Sequence, residues 1–357
     1  MMNFCRLILL ACGLLTTAPS ILNAKEADHL FRSHDVLSVT ISGPFTTINN
    51  EREKQKRYSG AKLVYDDIKQ GKVLLDTELE VRGNFRLEKK TCRFPPLRLR
   101  FDKAEAKGTL FHGNKKIKLV TACMPESNRY QQYVFQEYLI YRMFDLLTDK
   151  SFKVRLAEIS YVDAPDGKET HSGFGFFIED KARMRKRLGM KKVEHHKVNF
   201  SELNAEQLAL VSIFQFMIGN VDWSALQGEI GEPCCHNGVL ASGEDNKYFM
   251  VPYDFDFTGL INASYAFPNE QLGQRTIRTR VYRGQCELNP LVDSTLQNFH
   301  TKKADLYKLI SEFELLNQNT MKKTLAYLDS FYRIVENEKK WKAKLVKRCR
   351  KSKHPLG

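Results

Sequence analysis

After its first 24 residues the chain has no apolar run long enough to span a bilayer, and it contains no low-complexity tract and no internal repeat. Those absences exclude a bundle of transmembrane helices, a disordered chain and a fibrous or repeat architecture. The spaced cysteine pairs of structural zinc sites are missing too, since Cys234-Cys235-His236 sets its two thiols side by side. Two basic runs, Arg183 to Lys192 and Lys339 to Lys353, do not alternate aromatics with cations as a nucleic-acid groove does. They read as solvated faces or helix ends, and no nucleic-acid partner is expected.

What remains is an ordinary globular composition in 357 residues, enough for two domains or one large two-lobed one. Arg6, the apolar run Leu7 to Leu15 and the small and polar residues ending in Leu22-Asn23-Ala24 have the layout of a secretory signal peptide, residues 1–24. Leu9-Leu10-Ala11-Cys12 offers a lipid-attachment alternative. Cleavage near Ala24 makes the protein exported, periplasmic or secreted, with no transmembrane segment. It removes only Arg6 among the charged residues, so a net +14 becomes +13. Such a surplus favours an anionic partner: a nucleotide, an acidic protein or a lipid surface. The mature chain keeps Cys92, Cys123, Cys234, Cys235, Cys286 and Cys349. In an oxidising compartment an even number predicts at least one disulfide, with Cys92 and Cys123, which flank adjacent strands, as candidates.

Alternating or β-rich runs predict strands at Leu37 to Ile41, Lys62 to Tyr65, Thr77 to Arg82, Leu97 to Phe101 and Lys116 to Val120. A helix follows over Tyr130 to Leu147, free of Gly and Pro, with Tyr133, Ile140 and Phe144 on one face. Glu137 shares that face. Either a cation meets it, Lys118 being the candidate, or it reaches solvent at the helix edge. Val154 to Val162 and Gly173 to Ile178 form a hairpin, and Lys181 to Leu188 begins a helical region. A longer helix starts near Asn204, capped by Asn204 with Gln207, and ends at Gly219-Asn220. Short strands near Val239 to Ala241 and Tyr248 to Tyr253 follow, then helices over Thr301 to Leu345. Strands first and helices later mean an α+β fold.

Loop ends then bring Asp222, Asn237 and Asp254 in turn, after Lys118 on a strand and Glu137 on a helix. Phosphoryl transfer from a nucleotide needs a base for the acceptor proton, divalent metal on the phosphates and a lysine held by a glutamate, and the chain offers each in that order. The segments Arg82-Gly83-Asn84, Phe94-Pro95-Pro96-Leu97-Arg98-Leu99, Lys118-Leu119-Val120-Thr121, Asn220-Val221-Asp222-Trp223, His236-Asn237 and Pro252-Tyr253-Asp254-Phe255-Asp256 resemble the motifs of the CotH family, the spore-coat-type atypical kinases. The resemblance runs from about Thr77 to Gly284.

It implies a two-lobed, protein-kinase-like fold with a β-rich N-lobe over 25–179, a mainly helical C-lobe over 180–345 and a basic tail over 346–357. It also implies ATP with Mg or Mn as cofactors. By position Asp222 is the catalytic residue, Asn237 and Asp254 bind metal with Asp256 as the alternative to Asp254, and Lys118 holds phosphate. Glu137, Arg82 and the linker residue Glu179 complete the expected cofactor-binding set. Phe85-Arg86 stands where the family often has two serines. An inactive kinase-like scaffold that holds an acidic partner, and the same fold transferring a nucleotidyl group, are the alternatives. The acceptor is not readable from the sequence.

Overall fold

Seven strands with one apolar face each cannot leave that face in water, and in the computed structural model they bury it by closing into a barrel. The structure describes residues 28–351 apart from 165 and 244; the expected signal segment lies outside these. The strands are β1 (Leu37–Gly43), β2 (Arg57–Asp67), β3 (Gly71–Val81), β4 (Leu97–Phe101), β5 (Lys116–Thr121), β6 (Val154–Asp163) and β7 (Glu169–Ile178), in the order β1-β2-β3-β4-β5-β7-β6. Neighbours are antiparallel except β1 and β6, whose parallel pairing from Leu37↔Ala157 to Gly43↔Asp163 completes the circle. Ile41, Leu63, Leu79, Leu99, Leu119 and Phe177 are fully buried inside it.

The expected hairpin is present as β6 and β7, but β7 also pairs with β5. A side chain on Gly175 would meet the Val120 carbonyl oxygen at 2.6 Å, so this close approach depends on glycine. A short helix, α1 (Phe45–Glu51), sits between β1 and β2, where no helix was expected.

The alternate residues of β5, β6 and β7 point outward, and Val120, Leu156 and Phe176 pack with α2 (Asn128–Leu147) in a second core. This helix is buried nearly all round, not along one stripe. The second core continues into α4 (Ala205–Ile218) and the later helices α5 (Val292–Thr301), α6 (Lys303–Ser311), α7 (Gln318–Val335) and α8 (Glu338–Lys344). Between them lie α3 (Lys181–Arg187) and a small sheet of β8 (Lys191–Lys192), β9 (Gly238–Ser242) and β10 (Tyr248–Pro252), in the order β10-β9-β8. The fold is therefore α+β, with the strands concentrated first and the helices later. Among the described residues no helix is long and apolar enough to cross a membrane.

Asn204 caps α4 as expected, its side-chain oxygen accepting from the Gln207 N–H at 2.9 Å. The Gln207 amide does not reciprocate and donates to the Met250 carbonyl instead.

Cysteines pair as Cys92–Cys123, Cys234–Cys235 and Cys286–Cys349. The last pair ties down the start of the expected basic tail. Val346–Arg348 forms a helical turn, Arg350 donates to the Gly284 carbonyl at 2.8 Å, and Cys286 donates to the Arg350 carbonyl at 2.9 Å. A disulfide and two backbone hydrogen bonds thus hold the described part of this segment. The run Arg183 to Lys192 is not wholly solvated either: Arg183 pairs with Asp28 and Arg187 is buried against Glu179.

Candidate active site

The antiparallel register of β9 and β10 decides which loop ends meet. Gly238 stands opposite Pro252, so Asn237, just before β9, faces Tyr253, the residue before Asp254, and Asn237 and Asp254 line the same cleft. The Tyr253 N–H donates to the Asn237 carbonyl at 3.1 Å and closes the pair. Both residues hold left-handed backbone, with φ of 49° at Asn237 and 66° at Asp254. Asn and Asp tolerate that region better than other side chains, and such conformers concentrate at functional sites.

Asp254 is fixed from both sides. Its N–H donates to the Tyr141 hydroxyl of α2 at 2.9 Å, and the next residue, Phe255, is fully buried against the Tyr141 and Phe214 rings.

Asp222 reaches the same place from the end of α4. Gly219, with a φ of 70°, ends that helix in the left-handed conformation that glycine adopts without cost. A side chain there would also meet the Tyr327 hydroxyl at 2.0 Å. Arg283 then donates to the carbonyls of Val221 and Trp223 and holds the loop. The Asn237 amide donates to the Asp222 carbonyl at 2.7 Å and to its carboxylate Oδ2 at 2.9 Å, while the other carboxylate oxygen lies 2.7 Å from His236 Nε2. On its far side His236 Nδ1 meets Glu229 at 3.0 Å. The bond to Asp222 raises the His236 pKa above its ordinary value, with burial opposing.

Asn237 and Asp254 line a cleft of about 440 Å³ together with Arg82, Lys118 and Lys181. Lys118 points out of β5 on the side opposite Leu119, 4.7 Å from the Tyr253 ring centre. Withdrawal from water, then repulsion by Arg82 and Lys181, lowers its pKa to about 7. Arg82 spends its guanidinium on the carbonyls of Leu97 and Leu119, at 3.0 and 3.3 Å.

Glu137 departs from both sequence alternatives. It is buried, not at a solvent-facing edge, and among the described residues it forms no ion pair with Lys118. The charges acting on it are Asp256, Asp254, Arg86 and Arg82. Burial first, then the two aspartates, pushes its pKa well above the usual carboxylate range. Asp256 sits in the same buried group, accepting from the Tyr265 hydroxyl at 3.3 Å, and burial followed by Asp254 raises it to about 7. It is directed inward, and Asp254 is the aspartate that lines the cleft.

Glu179 is a correction. Its carboxylate receives both Nε and Nη2 of Arg187, at 2.9 and 2.8 Å, and lies outside the cleft lining. A carboxylate taken up by a bidentate arginine is not free to hold a cofactor. Lys181, Tyr253, Arg86 and the His236 bridge were not singled out as site residues. The linear hints were position alone: Lys181 directly follows the linker, His236 adjoins Asn237, Tyr253 precedes Asp254, and Arg86 stands where the family often has a serine.

Among the described residues no three His, Cys, Asp or Glu side chains gather as a metal cluster. The donor set is an amide and one carboxylate. Among the described residues the Asp254 carboxylate makes no hydrogen bond or ion pair, and Asn237 uses its amide nitrogen while leaving Oδ1 free. Such a sparse oxygen set suits Mg, which is commonly held by one or two carboxylates plus substrate phosphates and waters, and does not suit zinc.

The sequence matches no protein-family model and no curated protein. Among solved structures the chain is similar to the Helicobacter pylori proinflammatory kinase CtkA, at 10% identity and a TM-score of 0.38 over 71% of this chain and 91% of that one. An overlap that low fixes neither the fold type nor an activity.

Proposed function

We propose that the chain is an exported, kinase-like phosphotransferase of the CotH type that uses ATP with Mg or Mn. One observation carries the reading: Asn237 and Asp254 line the same cleft as Lys118, with Asp222 hydrogen-bonded to Asn237. In this reading residues 25–179 act as an N-lobe and 180–345 as a C-lobe, with the cleft between them. The cysteine pairs support an oxidising destination, reached after cleavage near Ala24.

The metal, once bound, neutralises charge on the transferred phosphoryl group. Asp254 and Asn237 Oδ1 would hold it, and Asp256 stays behind them as a buried, readily protonated carboxyl. Lys118 contributes an ammonium to the phosphates. An anion beside it offsets the burial and the repulsion that lower its pKa, so ligand binding draws a proton onto it. Asp222 accepts the acceptor's proton, held in place by Asn237 and His236.

The missing Lys118–Glu137 ion pair favours a second reading, a nucleotide-binding scaffold that does not transfer. Thermal-shift titration separates both readings from neither. Wild type is expected to gain more stability from ATP with Mg or Mn than from ATP in EDTA, and Asp254→Ala is expected to lose that metal-dependent gain. No metal-dependent shift in the wild type removes both readings. A shift without transfer of labelled phosphate leaves the scaffold.

A further inference from the structure

The cleft carries more positive charge than its own acids answer. Lys118 and Lys181 approach the ring of Tyr253, with their ammonium groups 4.7 and 4.5 Å from its centre. Lys181 also donates to the Tyr253 hydroxyl at 3.3 Å. Arg185 lines the same wall four residues further along α3, on the face that carries Lys181.

All three are partly buried, and among the described residues none forms an ion pair. Two of the cleft's acids are engaged elsewhere, Glu194 with Lys192 and Glu229 with His236, while Glu232 is exposed and acts on Lys181 from solvent. Asp254, like Glu232 without an ion pair among the described residues, stands at the metal end. A tyrosine ring attracts a cation by about 0.5–2 kcal/mol and gives Lys118 and Lys181 a partial counter-charge, which does not remove their mutual repulsion. Burial and then Arg185 lower the Lys181 pKa, as burial, Arg82 and Lys181 lower that of Lys118.

The geometry points to an anion site formed by Lys118, Lys181 and Arg185 that takes a linear chain of phosphates. The cleft, of about 440 Å³, has room for more than one phosphate, and a tri- or polyphosphate presents charges along its length to cations set on a β-strand, at the start of a helix and one turn further on. The chain of phosphates belongs either to a nucleoside triphosphate or to inorganic polyphosphate. That this anion serves as a phosphoryl donor rests on the phosphotransferase reading above; the binding itself does not.

The test is calorimetric titration of the full chain with sodium tripolyphosphate in EDTA. Wild type is expected to bind, and the double variant Lys181→Gln/Arg185→Gln to bind at least ten-fold more weakly. No binding by wild type, or equal binding by the variant, overturns the site. ATP titrated in parallel identifies the source: an equal loss for ATP assigns a nucleoside triphosphate, and a loss confined to tripolyphosphate assigns inorganic polyphosphate. A measurement on unaltered protein guards against misfolding of the variant. Tripolyphosphate should protect Lys181 from reductive methylation while leaving exposed Lys339 reactive, and equal labelling of Lys181 with and without ligand contradicts the site. Labelled-phosphate transfer on the same preparation keeps the two ideas apart. Binding lost in the variant with no transfer in wild type ends the phosphotransferase reading alone, and transfer with binding unchanged in the variant ends the anion site alone.

Discussion

Replacing Asp222 by Ala is expected to cut phosphoryl transfer by roughly 10²- to 10⁴-fold, the usual contribution of a positioned general base, while nucleotide and metal still bind. The expectation follows from the division of labour between loop ends. Asp254 and Asn237 line the cleft and face its contents. Asp222 stands beside Asn237 with its side chain 47% exposed, where an acceptor hydroxyl can approach it. Both carboxylate oxygens are oriented, one by His236 and one by the Asn237 amide, so the acceptor would meet a fixed base.

Asp222→Asn keeps the shape and removes the basicity, and it should show the same loss of transfer. Steady-state transfer beside a thermal-shift titration of each variant checks this. A variant that transfers at the wild-type rate contradicts the role of Asp222, and one that also loses nucleotide binding makes it a structural residue.

Arg187→Ala should be the most destabilising single change outside the cores, by about 3–5 kcal/mol, the cost of leaving a buried charge without its partner. Glu179 is only 1% exposed at its side chain, and Arg187 supplies two of its hydrogen bonds and its only ion pair among the described residues, the Lys153 N–H adding a third hydrogen bond at 3.2 Å. The same guanidinium donates to the carbonyls of Ser151 and Asp149, at 2.6 and 3.2 Å, tying the turn before β6 to α3. Its loss therefore strands a carboxylate and two carbonyls together. Urea unfolding is the measure. The double variant Glu179→Leu/Arg187→Met should cost less than Arg187→Ala, because both charges leave together. A single variant within about 1 kcal/mol of wild type shows that water reaches Glu179 and that the pair is a surface one.

The strands were legible because each has one face in the barrel, so alternation survives in the sequence; β4 has the expected bounds, Leu97–Phe101. The start and end of α4 were legible from a capping asparagine and a following glycine. Closure of the barrel was not. It depends on β1 pairing with β6, strands separated by most of the N-terminal half, and no local pattern records a distant parallel partner. The helix α1 was missed because Phe45-Thr46-Thr47-Ile48-Asn49-Asn50-Glu51 is poor in strong helix formers, and tertiary contacts of Phe45 and Ile48 hold it.

Charge partners were the least legible part. Glu137 lies on the expected helix, but which cation faces it depends on how the loop after β3 brings Arg86 inward. Glu179 was read for its linker position, and the guanidinium that occupies it comes from the far end of α3. Asp222, Asn237 and Asp254 were named from chain order and motif resemblance. Their proximity follows from one register, Gly238 opposite Pro252, together with one helix end at Gly219.

The central claim is that Asp254 and Asn237 share one divalent ion facing Lys118. Anomalous scattering from crystals grown with Mn and a non-hydrolysable ATP analogue tests it most directly. A manganese peak is expected at bonding distance from the Asp254 carboxylate and Asn237 Oδ1, with phosphate oxygens completing the shell on the Lys118 side. Manganese bound elsewhere, or a cleft that takes up no manganese at all, contradicts it.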